Sequence, residues 1–292
     1  MRLFVLNRRS VAKAGLALAG GSVMPLGFLS RLFAQAPPFR WAVYYGEKAA
    51  PAAFAGLDLV VLESDKHPDI EAIAALGAKV VGYLSVGEVH RTRAYHDEVR
   101  REGILVYENP VWPGAFAVDV RDPRWRRRVL DELIPSILAR GFSGVFLDTV
   151  DTATDLERRE NGKYAGAALA TIDLLKAMRA RFPDIAIVLN RGYDILPAVA
   201  AHVDMVLAES FVTAWDFENK RPRLAPEGQK RAEIAMLEEA RRINPKLRVL
   251  VLEYWPPEDT AQLKRLYAQV RALGYAPYVA TVELDRVVPE PR

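Results

Sequence analysis

GFSGVFLDTVD, running from Gly141 to Asp151, decides how the rest of the chain is read. Val145 to Leu147 is a glycine-bounded apolar run, short enough to be a buried strand. It ends in two carboxylates, Asp148 and Asp151, with no Lys or Arg beside them. A lone strand-end Asp is usually a helix cap or a turn residue. A buried strand that delivers an acid at its C-terminal end is also how an α/β enzyme builds its site. The choice between these depends on whether the pattern recurs.

It recurs. Short, nearly continuous runs rich in Val, Leu and Ile occur at 41–46, 57–63, 79–86, 144–148, 185–190, 203–209, 247–255 and 275–283. Such runs suit parallel strands covered on both faces. Between them lie segments with apolar residues three and four apart, at 69–76, 123–140, 165–181, 227–243 and 259–273, with a shorter helix at 194–202. Asp122-Pro123 starts one helix and Arg140-Gly141 ends it, and Pro135 inside it predicts a kink. Eight strands with helical crossovers in this length predict a single (β/α)8 TIM barrel over residues 37–292. A doubly wound open sheet would carry a Gly-rich first turn, and Tyr44-Tyr45-Gly46-Glu47-Lys48 is not one. The long connection from His90 to Val120 reads as a wall of the site, with a helix near 94–102.

Residues 1–36 read differently. Asn7-Arg8-Arg9-Ser10-Val11-Ala12-Lys13 is a twin-arginine pattern, followed by a weakly apolar run and by Ala34-Gln35-Ala36. This predicts an export signal read by the twin-arginine (Tat) translocon, and a periplasmic or secreted product. Glycines, a proline and Arg31 make the run a poor membrane span, so no stable span is expected. The signal would carry off Arg2, Arg8, Arg9, Lys13 and Arg31 but no acid. With 40 basic and 37 acidic residues in the whole chain, the remainder is left slightly acidic. Nothing basic is left over for nucleic acid.

The absence of cysteine removes disulfides, iron–sulfur ligation and thiol nucleophiles. The four histidines show no paired zinc spacing, and HExxH, P-loop and GxGxxG patterns are absent, so neither cofactor nor metal is expected.

In a barrel the C-terminal strand ends converge on one rim. Here they supply Glu63 with Asp65, then Glu88, Asp148 with Asp151, Asn190 with Arg191, Glu209, Glu253 with Tyr254 and Trp255, and Glu283 with Asp285. Crowded carboxylates raise one another's pKa, which keeps one of them protonated as a general acid. Arg191 is the one strong cation among these ends. Tyr44, Tyr45, Tyr83, Trp112, Phe211, Trp215, Tyr254 and Trp255 stand near the same ends or on rim loops. Some of them would pack in the core and others would stack on sugar faces. Two chemistries fit such a ring. In glycoside hydrolysis one carboxylate attacks or activates water while another protonates the leaving oxygen. In magnesium-assisted proton abstraction the ring holds a metal, but Asn190-Arg191 interrupts it and no strand ends in Lys. A barrel that binds saccharide without cutting it uses the same aromatic rim.

Over most of residues 40–285 the chain resembles the endo-α-1,4-polygalactosaminidases, glycoside hydrolase family 114, and their bacterial relatives. The residues that carry this are Trp41–Gly46, Val60-Val-Leu-Glu-Ser64, Gly82-Tyr-Leu-Ser-Val-Gly-Glu88, Ala117-Val-Asp-Val-Arg-Asp-Pro-Arg-Trp125, Gly141–Asp151 and Ala208-Glu-Ser210. The resemblance implies a (β/α)8 barrel acting on galactosamine-containing exopolysaccharide. It implies Asp148 as nucleophile and Glu209 as acid/base, with Asp151 the other candidate for the first role. Glu88 would match a polar rim position that binds substrate. Tyr44, Tyr45, Glu63, Tyr83, Asn190, Arg191, Glu253, Tyr254 and Trp255 complete the expected substrate contacts. The sequence departs from the family at Asn190-Arg191, where a Lys-Asn pair is expected, and at Thr149, where many members have Asn.

Overall fold

The structure is a computed structural model that describes residues 38–159, 162–216 and 218–291. The expected export signal at 1–36 lies outside the described residues. Residues from Phe39 onward form one compact unit.

The strands in chain order are β1 (Trp41–Tyr44), β2 (Leu59–Leu62), β3 (Lys79–Ser85), β4 (Glu88–His90), β5 (Leu105–Glu108), β6 (Ala115–Val118), β7 (Gly144–Asp148), β8 (Ala186–Asn190), β9 (Met205–Glu209), β10 (Thr213–Asp216), β11 (Arg221–Leu224), β12 (Arg248–Tyr254) and β13 (Ala276–Ala280). Eight of them form one parallel sheet in the order β1-β2-β3-β7-β8-β9-β12-β13. These are the eight runs expected from sequence, and they curl into a nearly closed (β/α)8 barrel.

The ends of the sheet meet without a ladder among the described residues. The Trp41 indole N–H donates to the Ala276 carbonyl at 2.9 Å across the seam. The Tyr45 N–H donates to the Leu284 carbonyl at 2.7 Å.

Alternation along each strand divides the apolar residues into two layers. Trp41, Val43, Leu59, Val61, Val81, Phe146, Val188, Leu207, Leu250, Leu252 and Tyr278 fill the barrel. Val60, Leu62, Val80, Leu84, Val145, Leu147, Ile187, Leu189, Val206, Val249 and Val251 pack outward under the helices. Both faces of the eight barrel strands are therefore largely buried, which accounts for the continuous apolar runs.

The crossovers vary in size. Only a short 3-10 turn, Pro51–Phe54, stands between β1 and β2. Helix α1 (Ile70–Ala74) joins β2 to β3, and its N-cap Asp69 accepts from the Ala72 N–H. After β3 come a three-stranded antiparallel sheet, β4-β6-β5, and α2 (His96–Arg101), then α3 (Pro123–Arg128) and α4 (Ile134–Ala139). A π-helical turn, Val129–Leu133, lies between α3 and α4. It stands where Pro135 removes a backbone donor, so the predicted disturbance is a widened turn. Helices α5 (Val150–Arg159) and α6 (Ala167–Arg181) follow β7. Helix α7 (Leu196–Val199) follows β8, α8 (Glu227–Ile243) precedes β12, and α9 (Thr260–Ala272) precedes β13. Among the described residues no helix is long and apolar enough to cross a membrane.

Candidate active site

The inward parity of each strand carries through to its C-terminal end. Tyr45 continues Trp41 and Val43; Glu63 continues Leu59 and Val61; Tyr83 continues Val81. Asp148 follows Phe146, Asn190 follows Val188, Glu209 follows Leu207, and Tyr254 follows Leu252. One polar side chain from each of seven strands thus reaches the same mouth. The inner packing below fixes where each one points.

Asp148 and Glu209 meet through Asn190. The Asn190 Nδ2 donates to Asp148 Oδ1 at 2.9 Å and to Glu209 Oε2 at 2.8 Å. Those two oxygens are therefore no further apart than the two contacts laid end to end. The remaining oxygens have donors of their own. The Tyr83 hydroxyl donates to Asp148 Oδ2 at 2.8 Å, and the Tyr254 hydroxyl donates to Glu209 Oε1. Tyr45 packs edge-on against Tyr83, ring centroids 5.5 Å apart. Burial first holds the Tyr45, Tyr83 and Tyr254 phenols well above the usual tyrosine pKa, and a neighbouring carboxylate charge comes next, Asp148 for Tyr45 and Tyr83 and Glu209 for Tyr254. They stay protonated and act as donors.

Glu209 is a raised acid. Burial raises its pKa most, and the Asp148 charge adds to it. The Tyr254 and Asn190 hydrogen bonds and the Arg191 charge work against the rise. The folded pKa therefore lies above the unfolded one, so the native state holds this proton more tightly. Stability from this group is complete below the ordinary glutamate range, about pH 4.3. It is lost as pH rises through the folded pKa. Glu209→Gln removes the ionisation, so its melting temperature relative to wild type should climb as pH is raised across that window. Calorimetry from pH 4 to 8 reads this directly, and a difference that is flat or falls with pH would contradict it.

Glu63, by contrast, is neutralised. Arg93, in the connection between β4 and α2, reaches Glu63 with both nitrogens, at 2.7 and 3.0 Å, and reaches Asp65 at 2.6 Å. Arg140 adds a second contact to Asp65 at 2.9 Å. Arg191 is still the one strong cation among the strand ends, but Arg93 and Arg140 reach the rim acids from outside the strands, so the expected ring of crowded carboxylates is corrected. Ion pairs do quench the β2 acids, and the crowded charge that remains is the Asp148–Glu209 pair. Arg93 also lies over the Tyr83 ring, 5.6 Å from its centroid.

Several expected rim residues are placed elsewhere, and Phe211 is fully buried in the outer layer. Tyr44 has outward parity; it packs on Phe54, and its oxygen accepts from the Lys48 and Ala49 N–H groups. Glu253 also has outward parity and is fully buried against the segment after β9, so it cannot touch substrate. The Trp255 indole donates to Asp259, the N-cap of α9, and its ring packs on the outer layer. Glu88 is buried and accepts from Asn109 Nδ2 and Thr152 Oγ1, both at 2.9 Å, so it joins the antiparallel sheet to α5. Asp151 is spent on the turn after β8, where one oxygen accepts from the Gly192 N–H and the other pairs with Arg191 at 3.0 Å. Arg191 also donates to the Glu209 carbonyl at 3.1 Å. Arg191 therefore braces the backbone at two strand ends. Glu283 and Asp285 are exposed beyond the end of β13, which stops at Ala280.

Two of the strand ends leave in unusual backbone. Thr149 and Arg191, each directly after a site residue, are left-handed at φ 62° and 55°. A β-branched residue at positive φ is strained. Thr149 Oγ1 offsets this by donating to the Asp148 carbonyl, accepting from the Gly87 N–H at 2.9 Å and meeting Ser85 Oγ at 2.7 Å. Trp215, on β10, packs half-buried against the inner layer at the mouth. Among the described residues, no three His, Asp or Glu side chains form a group that could hold a metal ion.

A nearly closed (β/α)8 barrel whose mouth joins an aspartate and a glutamate through one amide has the layout that glycoside hydrolysis by two carboxylates needs. The chain belongs to glycoside-hydrolase family GH114, whose family model matches residues 31–292. Among solved structures it is similar to the glycoside hydrolase domain of PelA from Pseudomonas aeruginosa. That match has 27% identity and a TM-score of 0.75, over 87% of this chain and 98% of that one. Ega3 from Aspergillus fumigatus, solved in complex with galactosamine, shares the fold at 18% identity and a TM-score of 0.64, over 86% of this chain and 94% of that one. An uncharacterized protein of Deinococcus radiodurans is 28% identical over 223 residues, 74% of this chain and 68% of that protein.

Proposed function

We propose that this protein is an exported hydrolase of α-1,4-linked galactosamine-type polysaccharide that works with retention of configuration. The observation that carries the reading is the Asn190 amide, which touches both acids at once. It keeps their nearest oxygens below the about 6.5–9.5 Å of inverting pairs, which favours the closer spacing of a retaining pair, about 5–5.5 Å. Asp148, held by Tyr83 and Asn190, attacks the anomeric carbon as the glycosidic C–O bond breaks. The raised Glu209 gives its proton to the leaving oxygen. Glu209 then takes a proton from water, which attacks the same carbon and releases Asp148. The phenols stay neutral throughout and donate to whichever carboxylate is charged.

Family membership and the likeness to the PelA hydrolase domain support the polymer class. Ega3 supports the galactosamine unit through the ligand it was solved with, although its likeness to this chain is one of fold. The twin-arginine pattern at Asn7–Lys13 supports export, which places the substrate outside the cytoplasm.

The test is product release from a defined α-1,4-galactosamine polymer, with Asp148→Asn as blank and proton NMR of the first-formed reducing end. The α-anomer is expected first. A β-anomer would replace retention with inversion, and tight binding without release would make the barrel a saccharide-binding module.

A further inference from the structure

Glu253 is fully buried and turned away from the mouth, yet it is one residue from Tyr254, which grips Glu209. Its carboxylate faces the three residues that follow the Glu209–Ser210 pair. Oε1 accepts from the Val212 N–H at 2.9 Å and the Phe211 N–H at 3.3 Å. Oε2 accepts from the Thr213 N–H at 2.7 Å and from the Thr213 hydroxyl at 2.5 Å. The same hydroxyl accepts from the Tyr254 N–H at 3.3 Å. The end of β12 therefore holds the end of β9 on both faces, with the side chain of Tyr254 inside and that of Glu253 outside.

We propose that Glu253 is a positioning residue for Glu209: it ties down the 211–213 segment and so fixes the acid at the end of β9 against Asp148 and Tyr254. The proposal rests on the reading of Glu209 as the acid/base. Two features favour this over plain loop packing. An ionisable group in an apolar wall is costly, and burial pushes the Glu253 carboxyl up to about 7 despite the donors around it. In addition, every donor it takes comes from the first few residues after Glu209 or from the side chain of one of them. The Glu209 carbonyl is held separately by Arg191, so the backbone is clamped at the acid itself and again just after it.

The experiment compares wild type with Glu253→Gln and Thr213→Val. Glutamine keeps the shape and one carbonyl oxygen, but its amide nitrogen cannot accept from the Thr213 N–H. On galactosamine polymer, kcat of the Gln variant should fall on the order of tenfold to a hundredfold, the scale of a small misplacement. KM should stay within about threefold, because no substrate contact is removed. The Glu209 carboxyl, followed by carbon-13 NMR without substrate, should titrate about half a pH unit or more closer to an ordinary glutamate. Loss of loop stability alone would leave both readings unmoved in the folded fraction.

A folded Glu253→Gln protein with wild-type kcat and an unmoved Glu209 titration overturns the proposal. If that variant does not fold, Thr213→Val keeps the carboxylate and removes only the hydroxyl. It should then move the Glu209 titration in the same direction by less, and no movement overturns the proposal. If wild type itself releases nothing from the polymer, the substrate reading fails, and the titration still decides the role of Glu253.

Discussion

Asp148→Asn is expected to lower turnover of the galactosamine polymer by about a thousandfold or more, and to do so whatever the leaving group. An amide oxygen is a poor nucleophile toward an anomeric carbon, and the Tyr83 and Asn190 donors arranged for a carboxylate lose their charged partner. Glu209→Gln should behave differently. On the polymer it should cost about 10²–10⁴-fold, the scale of a lost general acid. On an aryl α-galactosaminide with an acidic phenol, cleavage needs little proton donation, so the first step should recover most of its rate and glycosyl-enzyme should accumulate. Burst kinetics and intact-mass spectrometry check this. Equal losses for both variants on both substrates would mean that the roles are not divided between the two carboxylates.

The second large effect lies at the foot of the strand that carries the nucleophile. Gly144 opens β7 and pairs with Ala186 on β8. A Cβ at position 144 would sit 2.0 Å from the Ala186 carbonyl oxygen and 2.7 Å from its carbonyl carbon and nitrogen. All three atoms are backbone, so no rotamer change relieves the clash, and one strand must move against the other. Gly144→Ala should cost about 3 kcal/mol or more, the upper end for overpacking in a core. Because β7 and β8 bear Asp148 and Asn190 at their far ends, activity should fall in whatever fraction stays folded. Urea unfolding with a parallel polymer assay reads both. An unchanged midpoint with an unchanged slope would show that the ladder gives way more easily than the geometry implies.

The barrel was legible in the sequence because parallel strands are apolar on both faces. The same property hid which face each residue takes. Glu253 and Tyr254 are neighbours, as are Tyr44 and Tyr45, and in each pair only the second enters the mouth. An apolar run with no polar alternation has no visible phase. The clue that existed was internal: Tyr254 is two residues from Leu252 and Glu253 two from Val251, and these belong to opposite layers. The Arg93–Glu63 pair had no local signal, since thirty residues separate its members. Strands β4, β5 and β6 are three or four residues long, too short for periodicity to register. Helix α5 is rich in Thr, Asp and Arg, so its apolar stripe is thin. Asp148, Asn190 and Glu209 were legible because each closes an apolar run, and packing then turned all three the same way.

One consequence follows from the junction between β1 and β13. Among the described residues, seven of the eight strand junctions are zipped by repeated amide bonds, while this one is crossed by the Trp41 indole bond and the Tyr45 loop contact. A cylinder with one unlaced join yields there first under strain. Breathing motions of the wall, and any change in its girth when a bulky chain enters, would concentrate beside Tyr45. Asp148 and Glu209 stand among the continuous rungs of β7, β8 and β9, so their spacing is insulated from that give.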